Sequence, residues 1–302
     1  MAKNVLIMGA TSGIGAELAR RFASLGCNLA LAGRRGELLE KLAAGLRVED
    51  GPVIVWEKAD VRSETAPNVI RGLAEKLGGL DLYIHSSGIG EENPELDPAV
   101  EVATAETNAT GFIRCIDAAA ALLEAQPSGG QLAAISSVAS VRGIGVSPAY
   151  SATKALQAHY LEALRQRFRA KGQGVSVTDI RPGFVATPLL GGKSYPMLMT
   201  ADYAAEKIVQ ALLAKKRVAW IDWRYQLLAL GWAMLPGALW EAFPVGFVPF
   251  ETPKGRGAFG SISDALAAFR PKAKPQKAAS PATPSESTPA YDTPSTDAPD
   301  KA

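Results

Sequence analysis

Cysteine and histidine are scarce in this chain of 302 residues, with two of each. Cys27 and Cys115 stand alone in apolar stretches. That excludes a disulfide framework and zinc-finger spacing, and reads as two buried, reduced thiols. No metal site is expected. Net charge is scarce too: 32 basic against 30 acidic residues leave +2. No polyanion is implied, no aromatic-basic RNA motif is present, and nucleic acid is not an expected partner. The opening Met1-Ala-Lys-Asn-Val5 leads straight into an apolar run and does not fit a secretory signal, so the expected compartment is the cytosol. Tyr225 to Trp240 carries no charge over sixteen positions. A membrane span needs ~20 apolar residues, and Pro236-Gly237 interrupts this run. No internal repeat is evident.

Against that background a few residues stand out. Tyr150 precedes Lys154 by four positions in Pro148-Ala-Tyr-Ser-Ala-Thr-Lys154. On a helix, residues four apart share a face, so the ammonium can lie near the phenol. A free tyrosine titrates near ~10, too high for a base at neutral pH. A neighbouring positive charge favours the phenolate and brings that value down. Ser137 closes Leu132-Ala-Ala-Ile-Ser-Ser137, where a strand would finish. Its hydroxyl can hold a carbonyl oxygen beside Tyr150. Alone, a Tyr-x-x-x-Lys pair is ordinary helix surface; its companions give it meaning.

Upstream, Asn4-Val-Leu-Ile-Met8 reads as a buried parallel strand. Gly9-Ala-Thr-Ser-Gly-Ile-Gly15 follows at once, and residues 16–25 then show helical periodicity. Strand, glycine turn and helix make the context of a dinucleotide site. Glycine permits a tight turn and close backbone approach, and the helix N-terminus offers N–H groups to phosphate. Gly9, Thr11, Ser12, Gly13, Ile14 and Gly15 are the candidate cradle. Their spacing is Gly-x3-Gly-x-Gly, not the commoner Gly-x-Gly-x2-Gly.

Apolar runs at 4–8, 28–33, 53–57, 80–85, 131–136 and 175–180 read as strands. Helical patterns near 13–25, 36–48, 64–78, 97–125, 148–171 and 201–215 alternate with them. The alternation predicts an α/β fold: a doubly wound parallel sheet, Rossmann-like and three-layered.

Taken in order, Gly9 to Gly15, Asp60-Val61, Asn108, Ser137, Tyr150-x3-Lys154 and Pro182-Gly-Phe-Val-Ala-Thr187 resemble the short-chain dehydrogenase/reductase family over roughly residues 3–215. The resemblance implies that Tyr150 is the acid/base and that Lys154 lowers its pKa and binds the nicotinamide ribose. It implies that Ser137 orients the substrate oxygen and that Asn108 holds a water linking Lys154 to solvent. Asp60 and Val61 would flank the adenine; Pro182, Gly183, Val185 and Thr187 would line the nicotinamide amide and diphosphate. A homodimer or homotetramer built on the helices near 97–125 and 148–171 is implied as well. One piece departs. Where the family has Asn-Asn-Ala-Gly, this chain has His85-Ser86-Ser87-Gly88. Gly88 keeps the close approach to the cofactor. Ser86 and Ser87 replace some of the lost amide hydrogen bonds. His85 reads as a histidine satisfied inside the sheet rather than a proton shuttle.

Charge speaks to cofactor choice. The run Asn28-Leu-Ala-Leu-Ala-Gly33 ends in Arg34-Arg35. An acid there would accept the adenosine ribose hydroxyls and repel a 2′-phosphate; the arginine fork binds phosphate oxygens. NADP(H) is therefore expected over NAD(H).

Three segments follow: a catalytic, NADP-binding domain over 1–217, an apolar extension over 218–270, and a tail over 271–302. The extension fits a lid on an apolar pocket, a subunit interface, or a membrane-surface contact through 218–257. Trp220, Trp223, Trp232 and Trp240 suit the surface of a bilayer. So do Lys215, Lys216, Arg217 and Arg224 on one side and Lys254 and Arg256 on the other. The tail has seven Pro, seven Ala, four Ser and four Thr and lacks Leu, Ile, Val, Phe and Trp, a composition expected to stay disordered.

The function expected is an NADP(H)-dependent oxidoreductase interconverting an alcohol and a ketone on an apolar or lipid-linked substrate. Two alternatives remain. One is a reductase of a lipid-carried keto-sugar at the cytoplasmic membrane face, with the protein peripheral to the bilayer; the other is a non-catalytic NADP(H)-binding scaffold.

Overall fold

The computed structural model describes residues 3–193 and 195–242. The first strand, β1 (Asn4–Met8), is buried on both faces: Val5 and Ile7 enter one core, Leu6 and Met8 the other. In β2 (Asn28–Gly33), Leu29 and Leu31 take the first face, Ala30 and Ala32 the second. Strands apolar on both sides belong in a parallel sheet covered by helices above and below.

Helices α1 (Gly13–Ser24) and α2 (Gly36–Leu46) cover the first face, followed in the chain by β3 (Ile54–Lys58). The second face carries α3 (Ala66–Leu77), which leads into β4 (Leu82–His85). Next come α4 (Pro98–Ala105), a π turn over Glu106–Thr110, α5 (Gly111–Ala125) and β5 (Gly130–Ile135). Then follow α6 (Pro148–Ala170) and β6 (Val175–Pro182). A short ribbon pairs β7 (Val185–Ala186) with β8 (Met199–Thr200). The described chain ends with α7 (Ala201–Leu213), β9 (Val218–Ile221), α8 (Trp223–Met234) and α9 (Gly237–Ala242).

The main sheet has seven strands in the order β3-β2-β1-β4-β5-β6-β9, all parallel. The order reverses between β1 and β4, and the crevice at such a switch point, beyond the carboxyl ends of the strands, is where ligands bind.

Three features differ from expectation. The pattern near 97–125 is not one helix, because the π turn at 106–110 interrupts it. β7 and β8 are two residues each, too short to show a period. β9 continues the sheet beyond residue 217, between Lys215-Lys-Arg217 and Asp222, where charge hides a four-residue strand.

Helix α8 is pinned to the body. Tyr225 and Ala229 are buried beneath it. The Arg142 guanidinium donates to the carbonyls of Trp232 (3.0 Å), Ala233 (3.2 Å) and Leu235, placing a cation on the negative end of the helix. Trp240 Nε1 donates to Gly143 O at 2.8 Å, and Trp240 packs on Trp232. Trp220 stacks under Arg181. Trp220 and Trp240 thus have partners in the body, and Trp232 packs on Trp240. On the outer side, Trp223, Leu227, Leu230 and Met234 form an exposed apolar stripe at helical spacing. Among the described residues no helix is long and apolar enough to cross a membrane. The extension beyond residue 242, with Lys254 and Arg256, and the tail at 271–302 lie outside the described residues.

Candidate active site

In a parallel sheet every strand ends at the same edge, so the segments following β1 to β6 meet there. The glycine turn follows β1, Arg34 and Arg35 follow β2, and Asp60-Val61 follows β3. Ser86 and Gly88 follow β4, Ser137 follows β5, and Pro182 to Thr187 close β6.

The turn after β1 has no room for side chains. A Cβ on Gly15 would stand 2.2 Å from the Gly9 carbonyl oxygen, and Gly9 itself has φ +95°. Gly9 presses on the loop after β4, Ser87 N lying 2.6 Å from where its Cβ would be. The Thr187 methyl comes up against Gly13 from the β6 side. No side chain caps the N-terminus of α1, so its first N–H groups are available to phosphate. The arrangement fits a dinucleotide: a close backbone cradle, the hydroxyls of Thr11 and Ser12, and Ile14 packed on the core beside them.

The two arginines divide. Arg35 Nη2 donates to Thr11 Oγ1 and Ser12 Oγ, both at 2.7 Å, and so arches over the glycine turn. Arg34 is exposed and its charge is felt at Asp60. Hydrogen bonds from Arg62 chiefly hold the Asp60 carboxyl below its ordinary value, against partial burial. The Val61 side chain is in the core, and its carbonyl accepts from Arg114 Nη1 at 3.4 Å.

Tyr150 and Lys154 lie one turn apart on α6, with Lys154 Nζ 5.7 Å from the ring centre. Lys154 is nearly fully buried and donates to Ile135 O (2.8 Å) and Gln157 Oε1 (3.0 Å). Burial pushes its pKa down to about 8, with the charge of Asp179 opposing. Asp179 sits beneath, fully buried, paired with Arg181 at 2.6 Å and bonded to the Ser136 hydroxyl. Burial raises the Tyr150 phenol, and the Ser137 hydroxyl beside it partly offsets that. Ser137 Oγ also accepts from Ala139 N at 3.1 Å, which fixes its rotamer.

Asn108 lies in the π turn, a deviation frequent at functional sites. Its side chain clamps the loop after Gly88: Oδ1 accepts from Ile89 N (2.9 Å) and Nδ2 donates to Ile89 O (2.6 Å). The Asn108 main-chain oxygen accepts from Gln157 Nε2 at 2.8 Å.

His85 points into the second core. Its Nδ1 pairs with Tyr83 OH at 3.1 Å and its ring stands edge-on to Phe112, while Nε2 has no partner among the described residues. Burial first, then the charge of Lys154, drive its pKa to about 3. It is neutral at physiological pH and only half satisfied, which departs from the satisfied histidine expected.

Several site residues escaped the motif reading. Gly90 admits the Tyr150 ring, since a Cβ there would meet it at 2.5 Å. Tyr225 covers Gly183, where a Cβ would lie 2.1 Å from its ring, and donates to the carbonyls of Pro196 (3.1 Å) and Met197 (3.2 Å). Glu92, after β4, takes Lys193 (2.6 Å) and Tyr195 (2.9 Å) from the segment beyond β7, and Tyr195 stacks on Phe184 at 4.1 Å. A cavity of about 290 Å³ opens there, lined by Ala186, Thr187, Pro188, Leu190 and Leu198. Among the described residues no cluster is suited to a metal ion.

The chain is similar to known oxidoreductases over most of its length. The profile of the short chain dehydrogenase family matches residues 3–196. An uncharacterized oxidoreductase of Mycobacterium tuberculosis is 33% identical over 244 residues, covering 78% of this chain and 94% of the relative. An 11-beta-hydroxysteroid dehydrogenase A of Sesamum indicum is 32% identical over 199 residues, 64% of this chain and 55% of that protein. Among solved structures, an alcohol dehydrogenase of Thermococcus sibiricus complexed with 5-hydroxy-NADP superposes with a TM-score of 0.65 at 28% identity, covering 73% of this chain and 95% of that one.

Proposed function

Because the chain belongs to the short-chain dehydrogenase/reductase family, whose oxidoreductases act on CH–OH groups, we propose that it prefers NADP(H) to NAD(H) and interconverts a ketone and an alcohol on an apolar or lipid-linked substrate. The observation that carries the cofactor preference is Arg35 arched over Thr11 and Ser12 at the end of β2. A planar guanidinium there meets a 2′-phosphate with charge-assisted hydrogen bonds and offers a bare ribose little.

A nicotinamide cofactor, when bound, would supply the hydride chemistry, and the glycine turn from Gly9 to Gly15 with Lys154 would hold it. In reduction, Tyr150 gives its phenolic proton to the carbonyl oxygen, and Ser137 holds that oxygen in place. The Lys154 ammonium stabilises the phenolate left behind. Asn108 keeps the loop at Gly88 and Ile89 in register with both. An apolar substrate is supported by Ala186, Pro188, Leu190 and Leu198, which line the cavity beyond β7, and by the name of the sesame relative.

The test is NADPH and NADH oxidation over a panel of ketones that includes long-chain and prenyl-linked members. Turnover with NADPH at a several-fold lower Kd than NADH is expected. Equal affinity for the two would sink the cofactor assignment, and binding without turnover would leave a scaffold. The stripe on α8 favours a second reading: a peripheral protein of the cytoplasmic membrane face that reduces a lipid-carried keto-sugar, or a homodimer or homotetramer closing over that stripe. Flotation with anionic vesicles and sedimentation separate the two.

A further inference from the structure

We propose that Gln157 is a positioning residue of this site, its amide being a fixed bridge that holds the Lys154 ammonium to the π-turn carbonyl of Asn108. Gln157 lies three residues beyond Lys154 on α6 and is 1% exposed. Its Nε2 donates to Asn108 O at 2.8 Å, and its Oε1 accepts from Lys154 Nζ at 3.0 Å. Both ends are used, and both partners are themselves buried.

The donor count shows what the bridge does. An ammonium has three N–H donors. Ile135 O takes one and Gln157 Oε1 another. With two of its donors held on two different elements, Nζ cannot swing, and the third is left for the crevice. A bridging amide offers one donor and one acceptor in opposite directions, which the carbonyl and the ammonium require. It differs from a water in two respects. It cannot leave, and it does not readily hand a proton on, so the link positions Lys154 without conducting. The charged and titratable groups facing the ammonium are Asp179 from β6, His85 from β4 and Tyr150 on its own helix. Gln157 is the neutral member of that shell that touches it.

The inference rests on Tyr150 and Lys154 forming the catalytic pair, yet the bridge can be measured apart from turnover. The measurement is the ionisation of Lys154 Nζ, followed by NMR in lysine-labelled, full-length, cofactor-free protein. In Gln157→Leu, a side chain of similar size with no polar atom leaves the ammonium one acceptor short and the Asn108 carbonyl dry. The acidity of Lys154 should rise about tenfold, that is about one pH unit, as one charge-assisted hydrogen bond is lost. In Gln157→Ala, the vacated space is polar-walled and admits a water, so the value should return toward that of the unmodified protein. Turnover should follow the same order, Ala above Leu. A side chain that merely filled space would give the reverse, with Leu the better replacement and no change in Lys154 ionisation; that result overturns the proposal. Should the Leu variant fail to fold, Gln157→Glu keeps the acceptor and adds charge, and must move Lys154 ionisation to higher pH; an unmoved value is equally fatal. Tyr150→Phe is assayed alongside. If it turns over normally, the catalytic pair is wrong whatever Gln157 does. If it is dead while Leu outperforms Ala, only the bridge is wrong.

Discussion

Lys154 Nζ stands 5.7 Å from the centre of the Tyr150 ring, and its hydrogen bonds run to Ile135 and Gln157 rather than to the phenol. Burial therefore governs both groups in the resting site. The phenol is raised and the ammonium is brought down to about 8, whereas the spacing in the sequence leads one to expect a lowered phenol. A protonated phenol beside an ammonium is the state that reduction needs.

Tyr150→Phe removes that proton donor and keeps the ring against Gly90. Turnover should fall by roughly 10²–10⁴, the usual share of general acid catalysis, with NADPH affinity retained in a fluorescence titration. For the unmodified enzyme, kcat/KM of reduction should decline as pH rises through about 8, because Lys154 is charged below that value and neutral above it. A flat profile from pH 7 to 9.5 would contradict the assignment of Lys154.

Arg35→Asp sets a carboxylate against the 2′-phosphate and releases Thr11 and Ser12. Two charge-assisted hydrogen bonds at ~1.5–3 kcal/mol each put the loss of NADPH affinity at about a hundredfold or more, with NADH much less affected. Arg34→Asp should cost less, since both arginines are exposed but, of the two, Arg35 holds the hydroxyls of the turn. Calorimetric titration of both variants with both cofactors checks this, and the same loss from either arginine would refute the division of roles.

His85 has an acid signature. Its folded pKa, about 3, lies below the ordinary 6.5. Between those values the unfolded chain binds a proton that the folded chain refuses, so stability falls as pH drops through the window. The slope is about 1.4 kcal/mol per pH unit. Urea midpoints of the unmodified protein and of His85→Asn, taken at pH 7 and pH 5, should diverge in favour of the variant at pH 5. Parallel losses would show that His85 contributes nothing to acid lability.

The outer stripe of α8 is open to a direct test. Replacing Leu227, Leu230 and Met234 with glutamine leaves Tyr225, Ala229 and the Trp232–Trp240 contact untouched. Vesicle flotation, oligomer size or affinity for long-chain ketones should change, while NADPH binding stays within about twofold, since exposed substitutions cost little stability. No change in any of the three would mean that the stripe faces only water.

Much of the sheet was legible because its signals are local. The runs at 4–8 and 28–33 coincide with β1 and β2, and the glycine turn announces itself by what it cannot carry. What was hidden depends on partners distant in sequence. Gln157 belongs to no motif, and only its contacts with Asn108 and Lys154 reveal a buried bridge. The π turn has no period of its own, so 97–125 reads as one helix. The strand at 218–221 is four residues between charged flanks, and it needs β6 beside it to be a strand at all.

Tyr225 joins two parts of the chain that the sequence sets forty residues apart. Its ring occupies the space where a Gly183 side chain would start, and its hydroxyl donates to the carbonyls of Pro196 and Met197. The inner face of α8 is thereby a wall of the crevice while its outer face meets the surroundings. The exposed stripe of Leu227 and Leu230 and the contact of Tyr225 with Gly183 thus lie on one helix. Were an occupant of that stripe to shift α8, occupancy outside and affinity inside would have to change each other by the same factor.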